Sequence, residues 1–515
     1  MIPLTRTYIS SQLLTEFKDS YGVRMVFLPF SNILSLRREL DGTNAEILTW
    51  GCDDYSDRIK QWSDSCDTQV VGVLLLKRLP VDTELFQGAA VRVTSIDEAA
   101  TVVRFATCHK APFTVKGGGY STSGDSTTRG GIVLDLSNMR KVHVDPASRV
   151  VTAQGGALWE DIDVAAANYG IAFVGSTLNQ IGAAGSTLGG GYGWLTGQYG
   201  LAIDNLLWAR MILADGNVVT ASEEQYSDLF WAIRGAGSSF GVAVEMGFRD
   251  HKQDHPVFAG RLIFSEDKLP QIVDFANHFE ILTDGKQGFW FGFTMLPSMA
   301  QCSISVVVFY NGSQVAAEHF FAPLFSLGPE MNTTQILPYD SLNGILNAVD
   351  TSFRRRSLTE FDIAHPSDES VGPRKSLRGS NISLPLDTNF ILSLYDEFNG
   401  ILKECPQARD STLLFELLPN TQIVKVPNHA TAFASRGPYY NVSSLFRWHG
   451  SHLDSKIHSL QMDLMNQIGT RAGIAGKPNY IVSEHGTGLY ANYAGMSARE
   501  VQCIHPKESE ELTEP

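Results

Sequence analysis

The chain has 515 residues, 43% of them hydrophobic and 18% charged, and a formal net charge of −15. These are the proportions of an ordinary soluble globular protein, long enough for two or three domains. The acidic balance and the lack of a concentrated basic run argue against nucleic acid as a partner. Cys52, Cys66, Cys108, Cys302, Cys405 and Cys503 are scattered without C-x-x-C or zinc spacing, so no metal site is expected. Cys52 and Cys66 are candidates for a disulfide or for buried free thiols.

The N-terminal MIPLTRTYISSQLLTEF lacks the long apolar core of a signal peptide, which favours the cytoplasm. VVGVLLL at 70–76 is too short to cross a membrane. N-x-S/T sequons stand at Asn311, Asn332, Asn381 and Asn441, and matter only if the chain enters the secretory pathway.

Residues 1–88 read as a partly irregular N-terminal segment, with a helix start in YSDRIKQW at 55–62. From Val91 the pattern sharpens. VRVTSI is a strand by alternation and β-branching, and Asp97 is the expected cap of the helix EAATVVRFATCHK. FTVKG is a second strand, followed by GIVLDLS, KVHVD and RVVTAQGG, and ALWEDIDVAAANYG is a helix ended by Gly170. LLWARMILA and NVVTA flank Asp215-Gly216, a two-residue hairpin turn. SDLFWAIRGAGSSFGVAVEMGF is a helix, a glycine turn and a strand. Short strands broken by single helices predict an α+β domain over 89–252. Beyond it, FAGRLIFS, GFWFGFTML and SISVVVFYNG predict an antiparallel sheet, and KLPQIVDFANHFEIL and SQVAAEHFFAPLFSL predict helices packed on it. This second domain spans 253–480. Residues 481–503 turn glycine- and tyrosine-rich again, and the acidic 504–515 reads as disordered.

Three glycine-rich motifs carry chemistry. KGGGYS at 116–121 follows a strand, and successive backbone N–H groups in such a turn form an anion-binding nest. GAAGSTLGGGYGWLTGQYG at 182–200 has eight glycines in nineteen residues, yet also large aromatics. Glycine lets a backbone approach closely, and aromatics hold the result, so the stretch suits a flat partner. RGAGSSFG at 234–241 is a third close approach. There is no Walker G-x-x-x-x-G-K-[ST]. GTGLYA at 486–491 matches a shortened Rossmann pattern, but no helix or correctly spaced acid follows, so it is read as a chance match.

With GSTLNQIGAAGSTLGGGYGWLTGQYGLAIDN, LADGNVV, DLFWAIRGAGSSFGV, TAFASRGPYY and YANY, these motifs stand in the order found in the berberine bridge enzyme-like flavoproteins. The chain resembles that group, of the vanillyl-alcohol oxidase/p-cresol methylhydroxylase superfamily, and within it the fungal 6-hydroxy-D-nicotine oxidase-like branch. The resemblance implies an α+β fold: an FAD-binding domain of two α+β subdomains, plus a substrate domain with an antiparallel sheet covered by helices. It implies FAD held by Lys116, Gly117, Gly118, Gly119, Tyr120 and Ser121 at the diphosphate. Gly182, Gly185, Ser186, Thr187, Gly190 and Gly193 would run along the ribityl chain and isoalloxazine. Gly237, Val242 and Val244 would lie by the adenine end, and Tyr490 and Asn492 would return from the tail.

Two positions depart from the pattern. Tyr120 stands where many members carry a histidine, and Leu178 where some carry a cysteine, as flavin attachment residues. Non-covalent FAD is therefore expected. The implied activity is oxidation of a small or mid-sized substrate, with a secondary metabolite as the expected class, by hydride transfer to flavin N5 with O₂ as acceptor. A non-redox cyclase-type use of the flavin is the alternative. So is an inactive relative, motivated by residues 70–89 and the ending ESEELTEP. Candidates for the base are Tyr192, Tyr440, Tyr490, His485 and Glu484; a tyrosine would need its pKa lowered from about 10.

Overall fold

The computed structural model describes residues 28–49, 63, 88–128, 130–296, 301–344, 374–471 and 490–493. The helix start at 55–62, Cys52, Cys66, Cys503, Glu484, His485 and the tail 504–515 lie outside them.

The first part is built on two sheets. After α1 (Phe30–Glu39) come β1 (Glu46–Thr49), β2 (Ala89–Arg92), α2 (Ile96–Cys108), β3 (Phe113–Lys116) and β4 (Ile132–Asp135). The sheet order is β1-β2-β4-β3, with β2 and β3 parallel to β4 and β1 antiparallel at the edge. Ala99, Val102, Val103 and Phe105 of α2 bury against Val91, Ile132 and Leu134. The cap of α2 lies two residues upstream of the expected Asp97. Ser95 Oγ accepts from Glu98 N–H, and the buried Glu98 carboxylate accepts from the N–H groups of Thr94 and Asn44. Asp97 instead sits in the first turn, where its charge favours the helix dipole.

The second sheet is antiparallel. Its strands are β5 (Val142–Asp145), β6 (Val150–Gln154), β8 (Leu206–Ile212), β9 (Val218–Ser222) and β10 (Val242–Arg249), in the order β5-β6-β10-β8-β9, while the short β7 (Ile171–Ala172) pairs with β11 (His251–Lys252) elsewhere. Helices α3 (Trp159–Ala167), α4 (Ala183–Leu188) and α6 (Ser227–Ala236), with the single turn α5 (Thr196–Tyr199) between the last two, complete this part. Trp159, Ile162, Phe230 and Ile233 pack onto Val151, Ala209 and Phe248. The β8–β9 hairpin is one residue longer than expected. Leu213 N–H donates to Asn217 O, enclosing Ala214, Asp215 and Gly216, and Gly216 takes φ +82° as the left-handed residue of a three-residue loop.

The third sheet has eight strands and is antiparallel. They are β12 (Val257–Phe264), β13 (Gln287–Thr294), β14 (Ser303–Tyr310), β15 (Met331–Asn332), β16 (Gln335–Leu337), β17 (Arg374–Ile382), β18 (Thr412–Leu417) and β19 (Tyr440–Trp448). The main order is β15-β12-β14-β13-β18-β19-β17, with β16 also on β12. Its helices are α7 (Leu269–Leu282), α8 (Gln314–Phe320), α9 (Ala322–Ser326), the short α10 (Tyr339–Leu342), α11 (Thr388–Glu404) and α12 (Asp454–Arg471). One sheet face presents Phe289, Phe291, Phe293, Ile304, Val306 and Phe415 to Phe275, Phe279, Phe398 and Ile457 of these helices. The rings of Phe291 and Phe415 stack at 4.7 Å. Each such aromatic contributes roughly 1.5–3 kcal/mol by burial. The opposite face presents Trp290, Val307 and Phe309 to Trp194 and Leu195 of the glycine-aromatic stretch.

Three of the four sequons are closed to modification: Asn311, Asn381 and Asn441 are buried, and Asn332 alone is exposed. Among the described cysteines Cys108, Cys302 and Cys405 are free thiols. No helix of the described residues is long and apolar enough to cross a membrane, and among the described residues no group of three or more His, Cys, Asp or Glu side chains could hold a metal.

Candidate active site

The KGGGYS turn and the glycine-aromatic stretch cross backbone to backbone. A Cβ on Gly118 would lie 2.6 Å from Gly182 N, and one on Gly182 would lie 2.7 Å from Gly118 N. Neither chain could bear a side chain there, so the contact explains the paired glycines that sequence reading saw only as separate motifs. Around the crossing the surface opens: a Cβ on Gly185 would meet nothing within 4 Å. Thr187 Oγ1 is buried without a hydrogen-bond partner among the described residues. Ser186 Oγ accepts from Trp159 Nε1 at 2.8 Å and faces Gly182 O at 2.9 Å. Lys116 Nζ stands 3.9 Å from Asp135 Oδ2 at the end of β3. Gly119 follows with φ +72°, and Ser121 Oγ is 2.6 Å from Ser123 Oγ.

The first attachment position of the resemblance is tied to the segment that carries the second: Tyr120 Oη donates to Gln180 Oε1 at 2.7 Å, two residues along the chain from Leu178. Burial, aided by the Glu160 carboxylate, pushes the Tyr120 phenol up to about 12, so it stays neutral.

The returning tail locks onto the glycine stretch. Gly191 N–H donates to Tyr490 Oη at 3.3 Å, and Asn492 Nδ2 donates to Tyr490 Oη at 2.7 Å and to Ser186 O at 2.9 Å. Tyr192 meets Tyr490 edge-on at 4.8 Å and Phe433 at 6.3 Å. Gly190 takes φ +125°, with Phe433 where a Cβ would go, and Gly193 leaves room for Gly175 O. Gly237 makes room for Leu188, while Val242 and Val244 turn their side chains into the apolar core. Only backbone of that strand is left to meet a ligand, and Val244 O already accepts from Gly155 N–H at 2.8 Å.

Opposite this wall stands a residue that sequence reading missed. Glu416, on β18, is 4% exposed. Its carboxylate accepts from Ser443 Oγ at 2.6 Å and from Tyr493 Oη at 3.1 Å, joining the large sheet to the tail. Burial raises its pKa to about 7 against the opposing effect of these two hydrogen bonds. The signal was faint but present: a lone acid inside the apolar run TLLFELL, where an unneeded charge is costly.

The tyrosine candidates divide. Tyr192 and Tyr490 are together at the glycine wall. Tyr440 is on the other face of the large sheet, in the helix-covered core, with its hydroxyl on Glu280 of α7. All are shifted away from basicity: burial pushes Tyr490 up to about 12, and Tyr192 and Tyr440 well above the usual phenol value. Of the four described groups, Glu416 alone is poised to exchange a proton near neutrality.

Comparisons with known proteins bear on the family and the fold. A family described as FAD binding domain matches residues 88–222. An FAD-linked oxidoreductase of Aspergillus terreus, pgmH, is 32% identical over 393 residues, covering 75% of this chain and 76% of that protein. Two solved structures share the fold. One is 6-hydroxy-D-nicotine oxidase from Arthrobacter nicotinovorans, with TM-score 0.66 and 23% identity over 91% of this chain and 96% of that one. The other is Physcomitrella patens BBE-like 1, with TM-score 0.69 and 19% identity over 89% of this chain and 90% of that one.

Proposed function

The chain belongs to the FAD-linked oxidoreductases, and from that premise we propose that, as a protein of the berberine bridge enzyme-like type, it oxidises a small or mid-sized organic molecule, a secondary metabolite by class, with O₂ as electron acceptor. The observation that carries this reading is the buried Glu416 carboxylate, titrating near neutrality across from the glycine wall. Bound FAD would supply the two-electron oxidising centre, taking a hydride from substrate at N5 and passing electrons to O₂.

The residues present fit that group. The open backbone at Gly185, the left-handed Gly119 and the unpartnered Thr187 Oγ1 leave polar backbone and space where a dinucleotide needs them. In this reading Gly117, Gly118, Gly119, Tyr120 and Ser121 hold the diphosphate, and Gly182 to Gly193, Tyr490 and Asn492 hold the ring system. Attachment is non-covalent: Leu178 has no nucleophile, and the neutral Tyr120 phenol is engaged with Gln180.

Glu416 removes the proton from the substrate hydroxyl or amine as the adjacent carbon is oxidised. Ser443 and Tyr493 fix the carboxylate's orientation through their two hydrogen bonds. Tyr192, Tyr490 and Phe433 pack edge to face and exclude water. Because the pKa is raised, the competent carboxylate accumulates only above about 7.

The test is spectroscopic. Purified protein carries a flavin band near about 450 nm, and mixing with candidate substrates without oxygen bleaches it. Product formation without bleaching would overturn the redox reading in favour of a non-redox use of the cofactor. Acid precipitation releases all the flavin to the supernatant; flavin retained on the polypeptide would overturn non-covalent binding.

A further inference from the structure

Beside Glu416 the large sheet carries two buried carboxamides whose Oδ1 atoms accept no hydrogen bond among the described residues. In the register of the sheet Glu416 stands opposite Asn441, and Asn441 opposite Asn381, so the three side chains form a row across β18, β19 and β17 on one face. That face is the one turned to the returning tail. Glu416 bonds Tyr493, and a Cβ on Gly379, two residues before Asn381, would lie 2.5 Å from Tyr493 Cβ. Asn381 and Asn441 are 2% and 4% exposed, and the Oδ1 atom of each is buried without a hydrogen-bond donor among the described residues.

Asparagine is disfavoured inside strands, and a buried acceptor left unpaired is costly. Two such side chains side by side, next to the base, therefore point to a ligand that supplies the missing donors. Resting on the oxidoreductase reading above, we propose that Asn381 and Asn441 are specificity-determining residues that select a neutral substrate bearing hydroxyl groups beside the one being oxidised. Each carboxamide offers an acceptor and donors, so it matches a hydroxyl, which is both donor and acceptor. Opposed side chains on a sheet are about 5 Å apart at Cβ, which suits hydroxyls on adjacent or alternate carbons. An O-methyl ether cannot donate and leaves the oxygens unpaired. An anionic group is disfavoured, because these amides carry no charge and the neighbouring Glu416 becomes negative when active.

The experiment uses the FAD-loaded protein and a panel of neutral aromatic and alicyclic vicinal diols, each with its O-methyl ether. Binding is read from perturbation of the flavin spectrum and from calorimetry, and turnover separately from anaerobic bleaching. The wild type binds diols about tenfold or more tighter than their ethers. The Asn381→Leu and Asn441→Leu variants lose that preference by weakening diol binding while ether binding is unchanged, with FAD content and melting temperature retained. Should Leu disturb folding, Asn381→Asp and Asn441→Ser supply polar replacements for the same comparison. Preference among aromatic diols identifies a polyphenol, and among alicyclic diols a sugar-like polyol; either supports the proposal. Equal binding of diol and ether, binding of neither, or a preference that survives both substitutions overturns it. Diol preference without flavin reduction sinks the redox reading but leaves the asparagine pair standing.

Discussion

The two faces of the large sheet are made from the same strands and do opposite work. Toward α7, α11 and α12 most contacts are apolar or aromatic, and the polar groups there find partners inside the fold: the Tyr440 hydroxyl on Glu280, the Tyr395 hydroxyl on Cys302 O, and Gln461 Nε2 on the carbonyls of Ser376 and Ser444. Toward the glycine wall the same strands carry Glu416, Asn441, Asn381 and Ser443. Strand alternation makes both possible: Tyr440 and Asn441 are neighbours in sequence but point to opposite sides. A covered face can be mostly hydrophobic, with its few polar groups paired internally, because helices seal it. A face that must receive a substrate retains polar groups whose partners come from outside.

The sharpest test of this contrast is Glu416→Gln. It keeps shape and hydrogen bonding but removes the base, so kcat falls about 100- to 10,000-fold with FAD content unchanged. A loss under tenfold in steady-state kinetics would refute the role. On the opposite face Phe291→Ala leaves a cavity against Phe415 and destabilises by about 3–5 kcal/mol in denaturant melts. Protein that remains folded keeps its kcat.

Two pH experiments separate catalysis from stability. The Glu416 pKa of about 7 lies above the usual carboxylate value, so kcat/KM rises as pH passes upward through about 7, and Glu416→Gln abolishes that limb. Asp163, buried in α3 and accepting from Asn343 Nδ2 at 2.8 Å, is likewise raised to about 7 by burial. A raised folded pKa contributes stability that is complete below the unfolded value near 4 and is lost as pH rises through about 7. Asp163→Asn removes that slope, so the variant gains on the order of a few kcal/mol over wild type at pH 8 in chemical denaturation. The gentlest change is Tyr440→Phe, which costs about 1 kcal/mol by stranding Glu280 and leaves kcat as it was. A large kcat defect there would place Tyr440 in the site after all.

Much of the cofactor half was legible because glycine has few uses. Where two backbones must approach within a Cβ radius, as at Gly118 and Gly182, no other residue works, and the requirement is written locally in both motifs. The substrate half was not legible in this way. Its candidates were chosen by residue type, and Tyr440 was placed with Tyr192 and Tyr490 although alternation alone separates it from Asn441. Glu416 went unnoticed because its one local mark, an acid inside an apolar run, does not say which groups it meets. The hairpin at Asp215-Gly216 and the helix start near Asp97 were found, but each was off by one or two residues. Strand pairing decided the first, and Ser95 Oγ accepting from the Glu98 N–H decided the second.

The amino-acid sequence by itself determined the α+β class, the run of strands and helices, and the glycine turns that suit FAD, because each rests on the conformational limits of nearby residues. Tertiary structure alone decided which acid and amides meet at the site. Glu416, Asn441 and Asn381 come from three strands, and their row depends on register. The pKa that makes Glu416 useful depends on burial in the assembled fold, which outweighs the opposing hydrogen bonds from Ser443 and Tyr493. Desolvation is a property of the assembled surroundings, and no local segment encodes it.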